Sequence, residues 1–193
     1  MPHLHVRHAL DADALAEITD LLETTTAIEG HAPIGEHKMA HLRLGADDWD
    51  GILAYADGDG PLIGYAHLRW NPGDADPRLA VEVVVHPDHR GEGVQAALLD
   101  ETRATVSRAG GGRMFLWVHR VQGPTDTLAH RMGFAVQREL AFMRRPAEPA
   151  PPTEPAPDGV LVRTYAGPQD DAAFLEVNNA AFPDHPENGG WDA

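Results

Sequence analysis

The stretch from Leu79 to Leu99, L-A-V-E-V-V-V-H-P-D-H-R-G-E-G-V-Q-A-A-L-L, limits what this chain can become more than any other. Its mostly apolar start, Leu79 to Val85, reads as a buried strand. A proline-containing turn follows, then Arg90-Gly91-Glu92-Gly93, then a segment in which Val94, Ala97 and Leu98 recur at helical spacing. Strand, glycine-rich loop and helix in that order aim unpaired backbone N–H groups and the positive end of a helix at one point, which is how a main chain holds phosphate. Glycine lets a diphosphate approach the backbone closely. The loop is neither G-x-G-x-x-G nor a P-loop, since no Gly-Lys-Ser/Thr follows. A turn that needs two glycines only for its dihedrals has the same letters, so the wider string has to decide.

That string, V-V-V-H-P-D-H-R-G-E-G-V, resembles motif A of the Gcn5-related N-acetyltransferases, in which a strand, a P-x-x-R-G-x-G loop and a helix hold the pantetheine and pyrophosphate of acetyl-CoA. The resemblance implies that Val83, Val84 and Val85 line the pantetheine with backbone groups. It also implies that Arg90, Gly91, Glu92, Gly93, Val94, Gln95 and Ala96 form the pyrophosphate site. The family usually has Gly or Ala where this chain has Gln95, so a bulkier side chain is expected to crowd that site. Glu82, on the cofactor strand, is the candidate general base that takes a proton from an ammonium before attack on the thioester. Its other reading is a polar residue on the solvated face of an edge-like strand. The Tyr that usually protonates the departing thiolate is replaced by Ala129, and an Asn usually found earlier by Gln122. The resemblance therefore implies a domain that binds cofactor, or serves as a scaffold, without running the chemistry.

Among 193 residues, 42% are hydrophobic and 23% charged, a globular profile with room for one ordinary domain and a remainder. A formal charge of −15 argues against nucleic acid or an anionic membrane as the main partner and favours a cationic amine. The absence of cysteine excludes disulfides, a thiolate nucleophile and Cys-liganded zinc. No run of about 18 apolar residues and no signal-like start is found, so a cytoplasmic protein is expected. His37 and His41 stand four apart on an expected helix, but spacing signals no third ligand, and no metal is expected. His86 and His89 flank the loop and are expected to shape its turn.

Periodicity lays out a β-α-α-β-β-β-α-β-α-β order, an α/β fold with one mixed sheet flanked by helices, as the resembled family has. The expected elements are a strand over Leu4–Leu10, a helix from Ala12 to Thr26 capped by Asp11, and a helix over Glu36–Leu44. Strands over Asp48–Ala56 and Leu62–Trp70 join through Asp57-Gly58-Asp59-Gly60. After the opening motif come a central strand over Met114–Val118, a helix over Pro124–Met132 and a last strand over Phe134–Met143. A Pro-rich linker, 146–158, bounds a first domain of residues 1–145. Beyond it, a strand over Val160–Tyr165 and a helix over Pro168–Ala181 repeat the way the chain began, so 159–193 reads as the incomplete start of a second copy.

Thr24–Glu36 (T-T-T-A-I-E-G-H-A-P-I-G-E) and Val177–Trp191 (V-N-N-A-A-F-P-D-H-P-E-N-G-G-W) resemble a two-domain branch of this family that acetylates the cysteinyl amine of a glucosaminyl-inositol. That resemblance implies Glu36 and Glu187 as binding residues for an aminosugar-type substrate, acetyl-CoA as the other substrate, and a monomer at full length. It places the main catalytic residues beyond Ala193, so the chain is expected to be a fragment, or a truncated reading frame, that is inactive alone. Two other readings stay open: a non-catalytic CoA-binding or scaffold module, and a single-domain N-acetyltransferase for another amine with Glu82 as its base.

Overall fold

A computed structural model describes residues 1–45, 49–58, 60–71, 77–141, 143–149 and 154–182, apart from the side chains of His37 and Asn71. Contacts divide the chain into two compact units, Met1–Glu139 and Leu140–Ala193.

In the first unit β1 (His3–Arg7), β2 (Trp49–Tyr55), β3 (Leu62–Asn71), β4 (Arg78–Val85) and β5 (Arg113–Leu116) form one sheet in sequence order. Neighbours are antiparallel from β1 to β4, and β4 and β5 are parallel. The connections explain the mixture: a tight turn joins β2 to β3, whereas β4 reaches β5 through a helix, the kind of crossover that parallel neighbours need. In that tight turn Ala56 N donates to Pro61 O at 3.1 Å and Gly60 N to Asp57 O at 3.0 Å.

Four helices flank this sheet: α1 (Ala12–Glu29) and α2 (Glu36–Leu44) before β2, α3 (Val94–Arg108) as the crossover, and α4 (Pro124–Arg131) after β5. Asp11 caps α1 by accepting Ala14 N at 2.8 Å. The helix outruns its expected end at Thr26. The hydroxyls of Thr25 and Thr26 donate to the carbonyls of Leu21 and Leu22 at 2.8 and 2.7 Å, and Gly30, at φ 74°, stops the chain instead.

Strand alternation separates two cores. Leu53, Tyr65 and Val84 face α1 and α2, where Ile18, Leu21, Leu22, Ile34 and Leu42 meet them. Ile52, Ala66, Leu68 and Val81 face α3, against Val94, Leu98 and Leu99. A Cβ on Gly64 would lie 2.9 Å from Val94 Cγ1 and 3.0 Å from Leu98 Cδ1, so its absence lets α3 rest directly on β3.

Two expected strands do not form. Residues 134–141 have no regular structure; Phe134 N turns back to Ala129 O at 3.0 Å, and Val136 and Leu140 are exposed. Without that neighbour, β5 ends the sheet among the described residues instead of lying at its centre. A short apolar run makes a strand only where a ladder partner is at hand, and partnership is a long-range matter.

In the second unit Val160–Tyr165 likewise runs without a strand partner among the described residues, with Leu161 and Val162 exposed. The helix expected over Pro168–Ala181 forms as one 3₁₀ turn, Pro168–Asp170, and α5 (Asp171–Ala181). The Asp170 carboxylate accepts both terminal nitrogens of Arg163 at 2.6 Å and Ala166 N at 2.8 Å, clasping the extended chain to the helix start. Phe174 and Val177 of α5 are exposed.

Candidate active site

The glycine loop opens where β4 ends. His86 N donates to Ile63 O at 2.8 Å, so β4 stays tied to β3 up to the turn. Pro87–His89 makes one 3₁₀ turn, and Gly91 and Gly93 adopt φ of 82° and 85°, which costs other residues about 1–2 kcal/mol. Gly93 caps α3 without a side chain, and the first intrahelical bond is Ala97 N to Gly93 O at 3.0 Å. The N–H groups of Val94, Gln95 and Ala96 therefore precede the helix's own bonds at its positive end. Nothing lies within 4 Å of the missing Cβ positions of Gly91 and Gly93. Backbone donors beneath open space suit a pyrophosphate.

Side chains of the loop brace it. Arg90 reaches Glu29 at 2.7 Å and its Nε donates to Val85 O at 3.4 Å, tying the loop to α1 and β4. His89 Nδ1 lies 3.0 Å from Glu92 Oε2, and His86 Nδ1 accepts Asp88 N at 3.3 Å, so both histidines shape the turn. Gln95 does not reach over the loop: its Nε2 donates to Thr125 Oγ1 at 3.0 Å, linking α3 to the first turn of α4.

Beside the loop the sheet parts. The β4–β5 register ends at Val81↔Leu116, closed by Trp117 N donating to Val81 O at 2.9 Å. Backbone groups alternate in direction along a strand, and those of Val81 face β5 while those of His86 face β3. The N–H and C=O of Val83 therefore open into the gap past the last pair, an edge fit for an extended amide chain. Val85 shares that direction, and its carbonyl takes Arg90. Val84 differs: its backbone faces β3 and its side chain lies in the core under α1. At the loops around this gap the rings of His31 and His119 stack with centroids 5.9 Å apart.

Glu82, next to Val83, points to the α1–α2 side and is 3% exposed. Its Oε2 accepts Gly35 N at 2.7 Å and its Oε1 accepts Lys38 Nζ at 2.6 Å, with Lys38 itself 1% exposed. The solvated, edge-like alternative does not hold, because β4 lies between β3 and β5 and the carboxylate is buried. Gly35 is the N-cap of α2, so the negative charge also meets the positive end of that helix. Opposite Glu82 on β3 sits His67, stacked on Trp49 at 5.1 Å, with the Tyr65 hydroxyl 2.9 Å from its Nδ1. Burial pushes the Tyr65 phenol far above its usual range, so it keeps its proton and donates. Sequence reasoning missed Lys38; its one signal is that it is the only lysine in the chain.

Glu36 is exposed and lines a cavity of about 420 Å³ with Ile34, Met39, Ala40, Arg43 and Leu44. Residues 36, 40 and 43 share one face of α2 and Lys38 the other, so Glu36 faces away from Glu82. Glu187 and the His37 side chain lie outside the described residues.

Residues 15–134 match the family described as acetyltransferase (GNAT). The chain is 42% identical over 183 residues to the mycothiol acetyltransferase of Nocardia farcinica, covering 94% of this chain and 57% of that protein. It is 39% identical over 189 residues to the one of Mycolicibacterium paratuberculosis, covering 96% and 57%. These names agree with the branch, mycothiol synthase, that 24–36 and 177–191 resemble, and the chain spans under two thirds of the length of both. The ribosomal-protein-alanine N-acetyltransferase of Brucella melitensis biovar Abortus 2308 shares the fold at TM-score 0.55 and 20% identity, covering 75% of this chain and 99% of that one. From loop, parted sheet and these likenesses together, the chain belongs to the acetyltransferase (GNAT) family.

Proposed function

We propose that the chain is the N-terminal part of a mycothiol acetyltransferase, which moves acetyl from acetyl-CoA to the cysteinyl amine of desacetylmycothiol. About 40% identity over nearly its whole length to longer relatives of that name carries the reading. Residues 1–145 form a cofactor-binding domain, 146–158 a linker, and 159–193 the start of a second acetyltransferase domain. The Val83 backbone receives the pantetheine amides, and the N–H groups from Gly91 to Ala96 receive the pyrophosphate. Glu36 accepts hydrogen bonds from the sugar hydroxyls in the cavity along α2, and Glu187 is a further carboxylate for the same substrate class. The protein works in the cytoplasm as a monomer.

The chemistry lies outside these 193 residues. Glu82 is closed to an external ammonium while Lys38 holds its Oε1, and Ala129 offers no side-chain proton for the thiolate. These features favour a cofactor-binding first domain over a self-sufficient enzyme with Glu82 as base. Calorimetry of this chain with acetyl-CoA, followed by measurement of CoA released with desacetylmycothiol, tests the reading. Saturable binding without release is expected, and release by this chain refutes it.

A further inference from the structure

The Lys38–Glu82 pair has no part in the acetyl transfer just described, yet it is a buried ion pair beside the strand edge proposed to receive the acyl donor. Among the described residues the buried carboxylates are Asp50 and Glu82. Asp50 is bound to His8 and to Trp70 Nε1 near the start of β2. Glu82 alone adjoins the parted strands, one residue before Val83, with its side chain on the α2 side. A desolvated carboxylate beside an acyl-binding edge suits an alkylammonium: it pairs with the charge and can take the proton. That place is filled from within, since the stem of Lys38 carries a primary ammonium to 2.6 Å from Oε1. The other cationic residues are all arginine, so the one primary amine among the chain's side chains is the one set here. An arginine fork suits a buried carboxylate at least as well as a lysine does.

We propose that Lys38 is the internal occupant of an amine-binding site built on Glu82, and that it closes this domain to external primary amines. The position of the acyl donor rests on the function proposed above; amine capture does not. Lys38→Ala makes room for a four-carbon ammonium and leaves Glu82 and Gly35 in place. n-Butylammonium then pairs with Glu82 and gives it one proton. With acetyl-CoA in the gap, the amine nitrogen attacks the thioester carbonyl; the C–N bond forms and the C–S bond breaks. The second proton passes from the attacking nitrogen to the departing thiolate, and Glu82 releases the first to water. The products are N-butylacetamide and CoA.

The test refolds and melts Lys38→Ala in n-butylammonium chloride and in sodium chloride of equal strength, then adds acetyl-CoA and quantifies N-butylacetamide by mass spectrometry. Butylammonium is expected to raise the Tm of Lys38→Ala by several degrees, and to leave both the unsubstituted chain and Lys38→Ala/Glu82→Gln unchanged. Acetamide is expected to form roughly tenfold or more faster than with the unsubstituted chain. No butylammonium-specific gain, including failure to fold in either salt, overturns the proposal. A gain in Tm without faster acetamide formation, while calorimetry shows acetyl-CoA bound, also overturns it and leaves Lys38 a purely structural ion-pair partner. If calorimetry shows no acetyl-CoA bound, the function proposed above fails, and the Tm comparison alone decides this one.

Discussion

Replacing Lys38 by Met keeps the reach of the side chain and removes its charge. Glu82, 3% exposed, then keeps only the Gly35 N–H as a partner. Removing one member of a buried ion pair costs about 3–5 kcal/mol, because the other charge stays out of water without compensation. Against a total of roughly 5–15 kcal/mol, that is a large share. At about 2–4 °C per kcal/mol for a chain of this length, Tm falls by roughly 6–20 °C. Adding Glu82→Leu removes the stranded charge and leaves the Gly35 N–H without its acceptor, a cost of about 1–3 kcal/mol. The double variant is therefore expected to be more stable than Lys38→Met alone. Urea unfolding followed by tryptophan fluorescence gives the free energies and closes the double-mutant cycle. A Lys38→Met chain within about 1 kcal/mol of the unsubstituted one, or a double variant no more stable than the single, refutes the reasoning.

Gly64→Val sets a branched side chain against Val94 and Leu98, already 2.9 and 3.0 Å from a bare Cβ, so unfolding free energy should fall by about 1–3 kcal/mol; an unchanged urea midpoint contradicts the packing. Gly93→Val meets no neighbour but must hold φ near 85°, so acetyl-CoA affinity in calorimetry should drop about tenfold as the loop relaxes, and full affinity would speak against backbone donors there. All three tyrosines are held above their usual range: Tyr65 by burial, Tyr55 to about 12 by burial and then by its bond to Glu17, and Tyr165 by its bond to Asp171. Because a phenol with a raised folded pKa stabilises fully below the unfolded value near 10 and loses that contribution as pH rises through the folded one, Tyr55 makes stability fall between about 10 and about 12. Absorbance at 295 nm should show no phenolate midpoint at pH 10 in the folded chain, and one there contradicts these contacts.

The strand, glycine loop and first helical turn of the site were legible because they are local: a β-rich run, two glycines and a helical period are written within twenty-odd residues. The tight turn at Asp57–Gly60 and the bounds of α2 were legible for the same reason. Thr24–Thr26 misled because side-chain hydroxyls that disfavour a helix in isolation bond back along this one, and Thr25 is buried against the sheet. Lys38 was hidden by its setting, since E-H-K-M-A-H-L-R-L reads as an exposed polar helix until a carboxylate 44 residues away takes its ammonium. Gln95 gave no sign that α4 would take its amide. Residues 134–141 and 160–165 begin with short apolar runs like those of strands, but no local pattern tells whether a neighbour will be there to pair.

Under the proposed function this chain holds acetyl-CoA at the gap between β4 and β5 yet does not by itself pass the acetyl group on. One sample settles it: calorimetric titration with acetyl-CoA, then desacetylmycothiol added to the same cell and free CoA measured. Saturable binding near one equivalent and no CoA above the protein-free control are expected. Turnover by the 193-residue chain, or no binding at all, contradicts it.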